Sequence, residues 1–202
     1  MDRNQLQHIF SEIGISILKN DNFIREDKGY YENFNQIELD GEQWVFFEMN
    51  FEQRPRPKKE NKKTFYNETE AINYFFLKTL KKEYASSKIH QTNKSVSKIN
   101  SIEGLKHYFQ QVGIPEEYYS MSTTKPQILY TEIIDNKIIV SYLDENKQKR
   151  FNTIPLEVRR GIFVMYKLTY GFYLLKKIEK EFIDKGILTK NFTDEDVEVF
   201  IK

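Results

Sequence analysis

Apolar residues recur at helical spacing near the start of the chain. Leu6, Ile9, Phe10 and Ile13 fall at i, i+3, i+4 and i+7, and the spacing returns at Leu105, Tyr108, Phe109 and Val112. Each stripe ends in Gly-Ile, at Gly14-Ile15 and Gly113-Ile114. That is how a helix stops in a left-handed residue and folds an apolar side chain back onto its last turn. Pro115 then bars the second helix from continuing. Residues 6–15 and 105–114 share Leu, His, Phe, Gly and Ile at one fixed offset, so they read as an internal repeat.

Alternating patterns follow each copy. Ile37 and Leu39 lead into Asp40-Gly41, a hairpin signal, and the return strand runs to Phe51. Val45, Phe47, Met49 and Phe51 share one of its faces, and Glu48, Asn50 and Glu52 the other. In the second copy residues 128–134 and 138–143 flank Asp135-Asn136, which puts Asp40 and Asp135 at matching turn positions.

A helix closes each copy. Asn67 with Glu70 reads as a capping box before Ala71, Tyr74, Phe75, Leu77, Leu80 and Tyr84. Pro155 suits the first turn of a longer pattern that reaches Ile183 before Gly186. Gly161 and Gly171 inside it each cost about 1 kcal/mol relative to alanine, which weighs against one unbroken helix. Thr193 and Asp196 cap a last helix carrying Val197, Phe200 and Ile201. Residues 86–101, rich in Ser, Asn and Lys, have linker composition.

The expected fold is α+β: two tandem copies of a helix–antiparallel β-hairpin or meander–helix module with an extra C-terminal helix. The expected division is a first module over 1–88, a linker over 89–101 and a second module over 102–202.

Composition narrows the function classes. The 202 residues include no cysteine, which excludes disulfides, thiolate metal sites and cysteine nucleophiles. The first residues carry no basic stretch followed by an apolar run, so no secretory leader is expected. Residues 161–175 are apolar apart from Lys167, but a spanning helix needs about 20 such residues. A cytoplasmic protein with no membrane partner is expected.

The net charge of +1 hides an asymmetry. Residues 1–52 hold eleven acidic side chains against four basic ones, whereas residues 54–63 hold six basic ones against Glu60. An acidic module followed by a basic loop suggests charged partners.

The candidate chemistry is weak for catalysis and better for binding. His8 and His107 fall opposite the apolar stripes and read as solvent-facing, and two histidines do not make a metal site. Asp135-Asn-Lys137 and Glu145-Asn-Lys147, with Glu132 upstream, match the end of a nuclease motif, but Glu60-Asn-Lys62 matches it too. No phosphate-cradling glycine loop and no hydrolase or metalloprotease signature occurs, so no catalytic residue, metal or cofactor is expected.

The run Arg54, Arg56, Lys58, Lys59, Lys62 and Lys63, with Phe65-Tyr66 after it, suits phosphate contacts and base stacking. It lacks the broad basic face of a dedicated nucleic-acid binder. The acidic module offers Asp27, Tyr30, Tyr31, Glu32, Glu38, Asp40, Glu42, Trp44 and Glu48, with Phe46 beside them. Tyrosine and tryptophan beside carboxylates suit a protein-binding surface. Trp44 and Phe46 can equally fill a core.

Three segments resemble a known family. Gly113-Ile-Pro-Glu-Glu-Tyr-Tyr-Ser-Met121 resembles a helix end opening into a strand. Trp44-Val-Phe-Phe-Glu48, then Phe65, Glu68-Thr-Glu-Ala71 and Tyr74-Phe-Phe-Leu77, resembles the strand-to-helix part of the same pattern. Together they look like the immunity proteins encoded beside bacterial polymorphic toxins. The resemblance implies a non-catalytic protein that occludes the active or functional surface of a cognate toxin such as a nuclease; a monomer or dimer is expected. On that reading the acidic aromatic surface of residues 1–52 meets a basic cleft. Two other readings stand beside it: a phage- or plasmid-type nucleic-acid-binding regulator using residues 54–63, and a metal-dependent nuclease using Glu132 and Lys147.

Overall fold

The computed structural model describes residues 1–52 and 56–202, with the backbone alone over 91–94. The protein is α+β and forms two compact units, Met1–Tyr84 with Glu181–Asn191, and Ala85–Lys180 with Phe192–Lys202. The first boundary therefore falls before residue 88, and a late segment joins the first unit.

The first unit runs α1 (Arg3–Glu12), β1 (Ile17–Asn20), β2 (Phe23–Glu26), β3 (Phe34–Asp40), β4 (Gln43–Asn50), β5 (Lys58–Phe65) and α2 (Glu68–Leu80), followed by one π-helical turn, Lys81–Ala85. Asp2 caps α1 by accepting the Asn4 and Gln5 N–H groups, and Gln5 accepts the Asp2 N–H in return. The helix ends as its sequence implies. Gly14 takes φ +79°, and the Ile15 N–H donates to Phe10 O at 2.8 Å, which satisfies a carbonyl the last turn would leave orphaned.

The five strands form an antiparallel meander in chain order. Ile24, Ile37 and Phe46 lie side by side in the ladder and are fully buried. They sit under α2, whose Tyr74 ring meets Phe46 at 4.9 Å, and Phe10 stacks on Phe76 at 5.4 Å. Burying one such phenylalanine contributes about 1.5–3 kcal/mol.

This arrangement corrects four expectations. Trp44 and Phe46 lie on the face covered by α2 and are buried, and Arg3 stacks on the Trp44 ring at 5.3 Å. Asp40 pairs with Gln43, so the first hairpin loop is Gly41-Glu42, whereas the second is Asp135-Asn136 between Ile134 and Lys137. Asp40 thus matches Ile134, not Asp135.

The basic stretch is a loop only before Lys58, because Lys58–Phe65 is the edge strand β5. Lysine on an edge strand discourages pairing with other chains. The residues expected to link the modules are helical over Ser86–Val96 (α3), since Ile89 and Val96, seven positions apart, are both buried.

The second unit continues with α4 (Ile102–Gln111), β6 (Tyr119–Ser120), β7 (Ile128–Ile134), β8 (Lys137–Leu143), β9 (Lys149–Asn152), β10 (Leu156–Glu157), α5 (Val158–Asp184) and α6 (Asp194–Ile201). Its mixed sheet has the order β10-β8-β7-β6, with β9 also on β8 and a parallel β6–β7 pair. The α4 end repeats the α1 end: Gly113 has φ +72° and Ile114 N–H donates to Phe109 O at 2.9 Å.

Pro155 precedes β10 rather than opening α5. Despite Gly161 and Gly171, α5 is unbroken over 27 residues. Asp194 fixes the start of α6 by accepting from Tyr142 Oη at 2.6 Å, Gln127 Nε2 at 3.2 Å and Glu145 N–H at 3.0 Å. Among the described residues, no helix is long and apolar enough to cross a membrane.

Candidate functional site

The most exposed aromatic pair in the first unit lies in the loop between β2 and β3. Tyr30 is 95% and Tyr31 77% exposed, with ring centres 5.8 Å apart. Tyr31 packs edge-on against Phe51 at 6.1 Å, and Phe51 meets Phe34 at 6.0 Å. Asp27, Glu32 and Glu52 are exposed around this cluster. Tyr31 also adopts φ +66°, a left-handed conformation that is strained for an aromatic residue. Strain of about 1–3 kcal/mol persists only where the surroundings enforce it, and such positions concentrate at functional sites.

The surroundings are charged and partly buried. Asp27 N–H donates to Ser16 O at 2.9 Å where the chain enters the loop. Just before it, the Glu26 side chain is inaccessible to solvent. Its Oε2 accepts from the Asn35 N–H and from Lys82 Nζ at 3.0 Å, while Oε1 accepts from no donor.

Glu83 holds Lys28 at 2.5 Å. Burial pushes the Glu26 carboxyl above its ordinary value, against the pull of the Asn35 N–H and Lys82. Burial also raises Glu83, but the bond and charge of Lys28, with Lys82 and Glu26, outweigh it and leave Glu83 below its ordinary value. A cavity of about 220 Å³ beside this cluster is lined by Gly14, Ser16, Asp27, Lys28, Glu83 and Tyr84, among others.

The sign of the pH effect follows. A carboxyl raised above 4.5 in the folded protein stabilises it fully below about pH 4.5, and that contribution is lost as pH rises through the folded value. Glu26→Gln keeps the side chain's size and its acceptor for the Asn35 N–H and Lys82 while removing the titrating proton. Urea unfolding at about pH 5 and about pH 8 should therefore show a smaller loss of stability at the higher pH for the variant than for the wild type. An identical loss in both would contradict a Glu26 carboxyl raised by burial.

The remaining expected partner-binding residues do not join this cluster. Asp40 and Glu42 are exposed at the far end of β3, about 20 Å away at 3.4 Å per residue. Glu38 and Glu48 point to opposite faces of the sheet, Glu38 bonded to Lys59 at 2.5 Å and Glu48 to Asn61 at 2.9 Å. Trp44 is in the core.

The sheet also brings the acidic and basic stretches together. Lys59 lies over the Phe47 ring at 4.2 Å and Lys63 over the Tyr74 ring at 4.4 Å. Arg56, Lys58 and Lys62 are exposed, and Arg54 lies outside the described residues. Two of the basic side chains thus pack within the unit instead of forming one free cationic face.

His8 and His107 are exposed, and each bonds the residue four positions along its own helix, Glu12 at 2.8 Å and Gln111 at 3.0 Å. Glu132 is bonded by Lys149 at 2.6 Å, and Asp135 sits in the hairpin turn. Among the described residues, no three His, Cys, Asp or Glu side chains gather as metal ligands do.

Sequence reasoning missed Phe51, Glu52, Glu26, Lys82 and Glu83. Glu26 had a visible signal, since it stands two positions after Ile24 on the inward face of a strand. Lys82 and Glu83 had none, because the loop they reach lies about fifty positions earlier in the chain. Compared with known protein families, curated proteins and solved structures, the chain shows no match.

Proposed function

We propose that the chain is a non-catalytic, immunity-type protein that neutralises a bacterial toxin by binding it through the Tyr30/Tyr31 loop. The observation that carries this reading is the tyrosine pair itself, largely exposed and held in a strained backbone beside Phe51. Exposed tyrosines in a preset geometry bind with little loss of conformational freedom and recur among interface hot spots. Asp27, Glu32 and Glu52 give the rim a negative charge, which suits a basic surface such as a nuclease cleft. The protein acts in the cytoplasm, where such a toxin would do its damage.

The architecture supports a division of labour. The first unit binds and the second supports it, as two copies of one module that have diverged. The matching helix ends and the equivalent hairpins, β3–β4 and β7–β8, favour a common origin. The antiparallel β2–β3 pair against the parallel β6–β7 pair marks where the copies part.

The protein encoded immediately upstream is the first partner to test. Co-purification should recover a complex, and Asp27→Lys with Glu32→Lys should slow association by about tenfold at low salt, because rim charges act mainly on the on-rate. Failure to recover any complex with that protein would contradict the reading.

A further inference from the structure

We propose that Lys82 and Glu83 form a clamp that presets the Tyr30/Tyr31 loop for its partner. The inference rests on reading that loop as the docking surface, and it concerns how the loop is held. Lys82 Nζ bridges the two ends of the loop, donating to Glu26 Oε2 at the entry and to Asn33 O at the exit, both at 3.0 Å. Glu83 holds the entry a second time through Lys28 at 2.5 Å. Asn33 in turn accepts the Phe51 N–H on its Oδ1 at 2.7 Å, which ties the exit to the end of β4.

The loop has few backbone hydrogen bonds of its own, Glu32 N–H to Gly29 O at 3.3 Å being one. The enforcement that Tyr31 needs at φ +66° therefore comes from side chains at its two ends.

Lys82 and Glu83 are consecutive, and on an α-helix such neighbours diverge by about 100°. Here they lie in the π-turn Lys81–Ala85, and both reach the same loop, Lys82 directly and Glu83 through Lys28. Thr79, one turn earlier in α2, bonds Asn35 Nδ2 at 3.1 Å and anchors the strand that follows the loop. The groups facing Glu26 are Lys82, Glu83 and the Asn35 N–H, while Lys28 and, beyond it, Glu32 complete the charged surroundings.

The test uses the free protein. Backbone ¹⁵N relaxation would give order parameters across residues 28–33 in the wild type and in Lys82→Met, Lys82→Arg and Glu83→Gln. The wild-type loop should match rigid backbone at about 0.85, and Lys82→Met should drop it below about 0.6 with β3 and β4 unchanged. Lys82→Arg should restore the order, because a guanidinium can still bridge a carboxylate and a carbonyl.

Glu83→Gln, the milder change, should loosen residues 28–30 more than 32–33. A loop that stays ordered in both Lys82→Met and Glu83→Gln would overturn the proposal. So would a loop already mobile in the wild type, or order lost evenly across the whole unit. A loop rigid by this measure that binds nothing would leave the clamp standing and count against the docking reading alone.

Discussion

Gly161→Ala is expected to destabilise the protein by about 2 kcal/mol, whereas Gly171→Ala, ten positions further along the same helix, is expected to stabilise it by up to about 1 kcal/mol. At Gly161 a methyl group would stand 2.4 Å from Ile138 Cβ and 2.7 Å from its Cγ2. The nearest atom is the branch point of a stiff side chain, so rotation cannot relieve the clash. Either α5 or β8 must shift, and overpacking of this kind costs about 1–3 kcal/mol, more than the gain in helix propensity returns.

At Gly171 the nearest atoms, Ile89 Cδ1 and Phe200 Cε1, would be 3.9 Å away, an ordinary contact. The added methyl meets no clash there, and the helix gains the preference of alanine over glycine. Denaturant midpoints of the two variants against the wild type check both signs. Ile138 is fully buried, so Ile138→Ala costs about 2–5 kcal/mol on its own. Combined with Gly161→Ala it should cost less than the sum of the two single changes, since it removes the clashing Cγ2 and Cδ1. If both glycine variants lost stability alike, the close approach of α5 to β8 would be wrong.

These two glycines also show what the sequence could convey. Both weaken a helix on propensity alone, and nothing local separates one that is needed from one that is merely tolerated; Ile138, more than twenty positions earlier, decides it. The helix ends were legible because a Gly-Ile after an apolar stripe satisfies orphaned carbonyls within the last turn. Both hairpins were legible too, although the first slipped by one residue: Asp-Gly is a turn signal, but the register gave the loop to Gly41 and Glu42.

The face of β4 was not legible. Trp44, Val45, Phe46 and Phe47 are four apolar residues in a row, which erases the period-two signal, and Tyr74 of α2 makes the choice. Strand β5 was hidden by its lysines, which have low strand propensity but suit an edge. For α3, the buried pair Ile89 and Val96 was present under a polar composition that reads as linker.

The candidate surface divides along the same line. Asp27, Tyr30, Tyr31 and Glu32, picked out as tyrosines beside carboxylates, lie exposed together in the β2–β3 loop. Glu38, Asp40, Glu42, Trp44 and Glu48 were grouped with them only by closeness in sequence. Strand pairing scatters them over two faces and two ends of the sheet.

The second large effect is expected on binding. Tyr30→Ala with Tyr31→Ala should weaken association with the upstream-encoded protein by about 100- to 1,000-fold, because two aromatic hot spots of about 2 kcal/mol each are lost. Stability should change little, since Tyr30 and Tyr31 are 95% and 77% exposed. The contacts that hold the two ends of the loop, Lys82 to Glu26 and Asn33 and Glu83 to Lys28, are untouched, so the loss reads the missing aromatic contact area.

Calorimetric titration of the upstream-encoded protein into the wild type and the double variant is the direct test of the docking surface. Tight binding by the wild type that the folded double variant loses is the predicted result. Equal affinity for both, or no binding by the wild type, would contradict it.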